Sequence, residues 1–284
     1  MNFLLGCAVW AYKGWIGEFY PPKSQAGELL HCYSQRLRTV EGNTTFYAIP
    51  SAETIAQWKS QMSPGFRFCP KIPRSLTHNG VLKPSISEAL AFLERMRGLG
   101  EYLGPVFIQL PPSYEPAFLA DLAAFLKACQ KAKVAIALEV RHSDWFEQPH
   151  ASHLNELLTQ LGVGRVLLDS RPAYSQSTHY KTPLEVRKPK LPVQPAVTAE
   201  FSFVRFISHP DQQVNQPFFQ EWVNWVDQEL KLGRQIYFFV HCPIEDYSPA
   251  NARQFQQLLE ENNVPVPPLP WNQMDQSPVQ LSLF

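Results

Sequence analysis

The stretch Val134-Ala-Ile-Ala-Leu-Glu-Val-Arg-His-Ser-Asp-Trp-Phe146 runs five apolar residues without a break into Glu139, Arg141, His142 and Asp144. A continuous apolar run suits a parallel strand buried on both faces, and functional groups in α/β proteins gather where such strands end. The residues from Glu139 to Trp145 are therefore expected at the mouth of a site.

Similar runs recur along the chain. Strands are expected at Phe3 to Val9, Thr39 to Glu41, Phe66 to Ile72, Val106 to Leu110, Val134 to Glu139, Val166 to Asp169, Ser202 to Arg205 and Ile236 to His241. Helical spacing falls between them, at Gly27 to Arg36, from Ser51 to near Pro64-Gly65, Ile86 to Leu99, Phe118 to Ala128, Leu154 to Leu161 and Phe218 to Leu232, with Asn251 to Glu260 last. Ser51 with Glu53 just inside it has the form of a helix start. Eight strands alternating with helices give the expected fold, an α/β TIM-type (β/α)8 barrel in a single domain, residues 1–263. Ser170 to Ala199 is a long Pro-rich insertion between strands six and seven, carrying Arg187-Lys188-Pro189-Lys190. Its segment Lys181 to Lys190 is expected to be mobile and to close over the barrel mouth. Residues 264–284 form a Pro-rich tail too poor in regular patterning to extend the fold.

Composition narrows the function. The 284 residues carry 18% charged and 45% hydrophobic side chains with a formal net charge of 0, so no whole-molecule field draws the chain to nucleic acid or an acidic membrane. Five scattered cysteines without a CxxC pair fit free thiols in a reducing cytoplasm. No stretch approaches the roughly 20 apolar residues of a membrane span, and no membrane partner is expected.

A barrel brings its strand C-termini to one face, which pools Trp10, Glu41, Asn43, Lys71, Arg74, Gln109, Glu139, Arg141, His142, Asp169, Arg171, Arg205 and His241. Several cations around a few carboxylates suit an anionic substrate. Glu139, Glu41 and His142 are the candidate catalytic residues; Trp10, Asn43, Lys71, Gln109, Arg141, Asp169, Arg205 and His241 are the candidate substrate contacts. The plainer alternative is that Glu139 and Arg141 neutralise one another inside the barrel. No motif demands a cofactor. Glu139, His142, Asp169, His209 and His241 offer ligand types compatible with a divalent metal such as zinc or manganese, at spacings that match no fixed metal motif. The aromatics Trp10, Tyr12, Trp15, Phe46, Tyr47, Trp145 and Phe146 either stack on a base or sugar or pack loops onto the barrel, and packing is favoured.

Trp10-Ala-Tyr-Lys-Gly-Trp15, Phe19-Tyr-Pro21, Val40-Glu-Gly-Asn-Thr-Thr-Phe-Tyr47, Phe66-Arg-Phe-Cys-Pro-Lys71, Gln109-Leu-Pro-Pro-Ser113, Glu139-Val-Arg-His-Ser-Asp-Trp145 and Val204-Arg205 together resemble the successive signatures of the YecE-like proteins, domain-of-unknown-function family 72. The resemblance implies a TIM-type barrel related in shape to endonuclease IV and the xylose-isomerase-like enzymes, with no established reaction. It also implies that Glu41, Asn43, Lys71, Gln109, Glu139, Arg141, His142 and Arg205 fall on family motif positions. The histidine usual after strand seven is missing, with His209 nearby, and Val240-His241 stands where relatives read Asn-Asn after strand eight.

Gln280-Leu281-Ser282-Leu283-Phe284 resembles the short motif by which bacterial polymerases and repair proteins dock on the DNA polymerase sliding clamp (β subunit). That resemblance implies hydrogen bonds from Gln280, apolar pockets filled by Leu281, Leu283 and Phe284, a clamp partner, and DNA as the substrate class. The competing reading folds these residues back over an apolar patch of the barrel. Three functions are thus expected in order: a cytoplasmic barrel protein acting on a phosphate-bearing substrate and recruited to the clamp, as a hydrolase or lyase if it is an enzyme; a small-molecule enzyme for a phosphosugar or carboxylate; and a non-catalytic module binding an anion or nucleic acid.

Overall fold

In the computed structural model, which describes residues 2–177 and 188–271, eight strands run parallel around a barrel. They are β1 (Phe3–Cys7), β2 (Thr39–Gly42), β3 (Arg67–Pro70), β4 (Val106–Gln109), β5 (Ile136–Glu139), β6 (Gly164–Asp169), β7 (Phe201–Ile207) and β8 (Gln235–His241). β1 pairs with both β2 and β8, and the ladder continues through β7, β6 and β5 to β4. Single bridges at Phe68–Leu103 and Lys71–Phe107 close the gap between β3 and β4, where Ile72 N–H donates to the Phe107 carbonyl at 2.9 Å. Gly6 is required where β1 meets β2: a Cβ there would lie 1.9 Å from the Thr39 carbonyl oxygen.

Successive side chains of a strand point to opposite faces, so each strand fills the interior with one parity and the helix layer with the other. Leu4, Cys69, Phe107, Ala137, Val166, Phe203, Tyr237 and Phe239 form the inner core, where Phe203 lies against Phe107 at 5.4 Å and Phe239 at 4.6 Å between ring centres. The opposite parity packs under α1 (Leu29–Ser34), α2 (Ala52–Gln61), α3 (Arg74–Thr77), α4 (Ile86–Met96), α5 (Leu119–Cys129), α6 (His150–Leu161), α7 (Gln212–Lys231) and α8 (Ser248–Glu261). Ser51 caps α2 as expected, accepting from Thr54 N–H at 3.2 Å. The β6–β7 crossover holds no α-helix among the described residues.

Most element boundaries lie within a few residues of the sequence expectation, and two departures matter. α7 begins six residues before Phe218, because Asp211 caps it through Gln213 N–H at 3.0 Å and Pro217 sits inside the helix without ending it. The Pro-rich tail also does more than expected. Val264, Leu269 and Trp271 are buried, Trp271 packs edge-on against Phe19 at 4.9 Å, and the Arg36 and Arg253 guanidinium groups lie 5.3 and 4.8 Å from its ring. Arg38 donates to the Pro268 carbonyl at 2.9 Å, so residues 264–271 are strapped to the barrel. The expected clamp motif, Gln280 to Phe284, and residues 181–187 of the expected lid lie outside the described residues.

Candidate functional site

Strand parity decides which pooled residues meet. Inner positions continue from Thr39 to Glu41, Cys69 to Lys71, Phe107 to Gln109, Ala137 to Glu139, Phe203 to Arg205 and Phe239 to His241, so these six side chains form the layer at the C-terminal ends of the strands. Arg205, wholly buried, is its centre. The guanidinium grips Glu41 with two bonds, Nε to Oε2 at 2.7 Å and Nη2 to Oε1 at 2.8 Å, and its Nη1 donates to Glu139 Oε2. It rests 4.7 Å from the centre of the Phe107 ring. Arg141 Nε donates to the other Glu139 oxygen at 2.6 Å, and His241 Nε2 lies 3.1 Å from Glu41 Oε2.

Burial on its own would raise the Glu41 carboxyl, but Arg205 and His241 outweigh it and hold the group well below the usual carboxylate range. For Glu139, burial is likewise opposed by Arg205, Arg141 and Lys71, which bring it down to about 2. Burial pushes His241 down to about 4, so its ring is neutral at physiological pH and must donate from Nε2 to the ionised Glu41. Both carboxylates are therefore ionised, and their acceptor positions are largely taken. Such groups are weak acids and weak bases.

Lys71 differs. Its ammonium donates to the Gln109 amide oxygen at 2.9 Å and sits 4.0 Å over the Phe46 ring. Burial, then the nearby Arg205 charge, pushes it down to about 7 despite Glu41 and Glu139. The described end of the Pro-rich insertion adds a further cation. Ser170 Oγ donates to the Pro189 carbonyl at 2.8 Å and Tyr174 OH donates to the Lys188 carbonyl, fixing Lys188 where its charge is felt by Arg205, Glu41, Arg141 and Glu139. Burial takes Lys188 down to about 8. His78 completes the rim. Burial and the cations Arg74, Lys71 and Arg141 bring it down to about 4, and its ring meets Phe46 edge-on at 5.3 Å.

Other pooled residues lie elsewhere. Asp169 has the outer parity: it takes a two-pronged ion pair from Arg171, at 3.0 and 2.9 Å, and a bond from Trp222 Nε1 on α7 at 2.9 Å. His142 turns away from Glu139, accepting from Asp144 N–H at 3.3 Å at the start of its own 3-10 turn. Trp10 is buried edge-on against Phe68 and Trp58 at 5.2 and 5.6 Å, and Asn43 Nδ2 ties to the Ala8 carbonyl at 2.8 Å. Both line a cavity of about 180 Å³ beside the cation layer. Among the described residues, no three His, Cys, Asp or Glu side chains group as a metal ion would need. Nor is any described helix long and apolar enough to cross a membrane.

His78 and Glu245, which lines the same cavity, were not among the sequence candidates, and Lys188 was named only as part of the basic insertion. Glu245 lies four residues beyond the end of β8, and a search of loops as well as strand ends would have found it. Lys188 lay within the basic segment expected over the mouth, but which cation of that segment faces the layer depends on how the Pro-rich chain folds back.

Comparison with known proteins agrees with this architecture. UPF0759 protein YecE of Escherichia coli (strain K12) is 33% identical over 245 residues, 84% of this chain and 86% of that protein. UPF0759 protein YunF of Bacillus subtilis (strain 168) is 30% identical over 140 residues, 46% of this chain and 49% of that one. Among solved structures, a DUF72 family protein from Enterococcus faecalis V583 superimposes with a TM-score of 0.69 at 18% identity, covering 91% of this chain and 98% of that one. One from Thermotoga maritima MSB8 does so with a TM-score of 0.65 at 21% identity, covering 92% and 100%. The profile of the family described as "Protein of unknown function DUF72" matches residues 4–274, and the chain belongs to that family.

Proposed function

We propose that the barrel mouth binds a phosphate-bearing anion, held between Lys71, Lys188 and Arg141. The observation that carries this reading is a charge imbalance. Four cations, Arg205, Arg141, Lys71 and Lys188, stand against two ionised carboxylates, Glu41 and Glu139, both engaged by the arginines, and the raised carboxyl of Glu245. Two desolvated ammonium groups are left near enough for the Lys188 charge to be felt at Lys71. A dianion there would restore to each lysine the counter-charge that burial removes. Titration calorimetry with sulfate and with a phosphomonoester tests it. Saturable binding to the wild type that is lost in Lys71→Met is expected; absence of binding by either anion overturns the reading.

The tail supports a second reading, recruitment to the DNA polymerase sliding clamp through Gln280, Leu281, Ser282, Leu283 and Phe284. It rests on the resemblance of that pentapeptide, and one observation favours it over folding back. The apolar patch beside Phe19, Arg36 and Arg253 is already filled by Trp271, with Val264 and Leu269 buried before it. Apolar anchors beyond Trp271 would need another surface to bury them. A fluorescence titration of a Gln273-to-Phe284 peptide against purified clamp should saturate, and Leu283→Ala with Phe284→Ala should abolish it. Equal curves, or none, remove the clamp and with it DNA as the favoured substrate class.

A further inference from the structure

Glu41 and Glu139 cannot easily give or take a proton, yet a third carboxyl at the same face can. Glu245 lies in the 3-10 turn Glu245–Tyr247, just after β8. That turn is locked to the loop after β1 by Trp15 Nε1 donating to the Glu245 carbonyl at 2.9 Å and by Tyr12 OH donating to Asp246 at 2.8 Å. Glu245 Oε1 is closed off from solvent with no hydrogen-bond partner among the described residues, which is costly for a carboxylate and natural for a carboxylic acid. The residue lines the 180 Å³ cavity with Ala8, Trp10, Tyr12 and Asn43. The exposed lining of that cavity is mostly apolar, and its size suits one small ring.

We propose that Glu245 is the proton-transferring carboxyl of the barrel mouth, set beside an apolar cavity that receives the uncharged body of the ligand whose anionic group lies on the lysines. This rests on the anion-binding reading of the mouth. The charge environment agrees with it: burial pushes Glu245 up to about 7, the Ser248 hydroxyl as a hydrogen-bond donor and then the Lys188 charge draw it down, and Glu41 and Asp246 push it further up. The thiols of Cys7 and Cys242 lie in the same neighbourhood and are themselves raised by burial, so they stay neutral. A carboxyl poised near neutrality is half charged at working pH, the condition under which it serves equally as acid or base. In the acid direction its O–H bond breaks, the proton passes to an oxygen or nitrogen of the ligand, and the carboxylate left behind faces the Lys188 ammonium. The base direction is the reverse of the same transfer.

Carbodiimide labelling tests this, because the reagent adds to protonated carboxyl groups that it can reach. The full chain would be treated with diisopropylcarbodiimide across a pH series, with and without sulfate, and modified glutamates mapped by mass spectrometry; sulfate binding is measured separately by calorimetry. Glu245 should be labelled near neutral pH, its rate falling tenfold per pH unit above about 7, while exposed Glu53 is labelled only at much lower pH. Sulfate on the lysines offsets the Lys188 charge that draws Glu245 down, so its labelling profile should move to higher pH, an effect that a carboxyl remote from the anion would not show. A Glu245 that is never labelled, that follows the profile of Glu53, or whose profile bound sulfate leaves unmoved overturns the proposal. Absence of sulfate heat with neutral-pH labelling intact overturns the anion site instead and leaves the carboxyl standing.

Discussion

Removing the central guanidinium by Arg205→Met is the most searching test of the site's construction. In the wild type every charge in the inner layer is referred to Arg205: it gives Glu41 two bonds at 2.7 and 2.8 Å and gives Glu139 a third. Methionine keeps most of the stem but loses the guanidinium's place over Phe107 and leaves Glu41 with the His241 ring at 3.1 Å, whereas Glu139 keeps Arg141 at 2.6 Å. A buried carboxylate stripped of its partner typically costs about 3–5 kcal/mol. For a chain this long that corresponds to a fall in Tm of about 10 °C. Thermal and urea unfolding followed by circular dichroism would measure it. The loss should already shrink as pH falls toward about 4.5, because burial without Arg205 raises Glu41 above the ordinary carboxyl value and lets it escape its charge by protonating. Arg205→Met combined with Glu41→Leu removes one charge of each sign and should recover at least half of the stability, as buried pairs replaced together often do. A single variant within about 1 kcal/mol of wild type, or a double variant worse than the single, would refute the account of Arg205 as the keystone of the layer.

Other outcomes follow from the same geometry. Lys71→Met should leave stability unchanged or raised, since it removes a desolvated cation, while sulfate affinity falls at least tenfold by calorimetry. Sulfate binding should take up protons above pH 7, where free Lys71 loses its charge, so affinity should fall as pH rises from 7 and the heat should depend on the buffer's ionisation enthalpy. His241 is depressed to about 4, so between pH 6.5 and 4 the unfolded chain binds the extra proton; stability should drop through that window in wild type and less in His241→Gln, as read by denaturation midpoints against pH. Trp271→Ala should cost about 3 kcal/mol of stability and leave sulfate binding intact, which unfolding and calorimetry on one sample would show.

The barrel was legible because its strands are short apolar runs that nothing else in the chain imitates. Parity then carries most of the site: once Phe107 and Ala137 are inside, Gln109 and Glu139 must be. The same rule shows why Asp169 does not join them. Val166 and Leu168 face inward, so Asp169 one step on faces α7, where Trp222 and Arg171 satisfy it. His142 lies beyond the last ladder residue of β5, where parity no longer holds and a 3-10 turn directs the ring. The tail failed for a related reason. Val264, Leu269 and Trp271 follow no helical or strand period, and their burial comes from a groove made by distant segments.

Why the carboxylates and the lysines divide their roles follows from what each leaves unsatisfied. Glu41 and Glu139 are costly to bury, and the cost is met inside the layer by Arg205, Arg141 and His241, which makes them a frame that positions charge rather than a reagent that moves it. Lys71 has only a neutral amide oxygen and aromatic faces to stabilise its ammonium among the contacts described, and Lys188 is held over the layer by backbone bonds at Ser170 and Tyr174. Folding therefore leaves these two groups less stable than they would be in water, and an anion bound between them is the simplest arrangement that relieves both. Glu245 fits the same logic with the opposite sign, since a carboxyl with no donor at Oε1 is content as an acid and gains from losing its proton only when a ligand, or Lys188, rewards the charge. A mouth so arranged couples the arrival of negative charge at the lysines to the protonation state of the one carboxyl the frame does not engage.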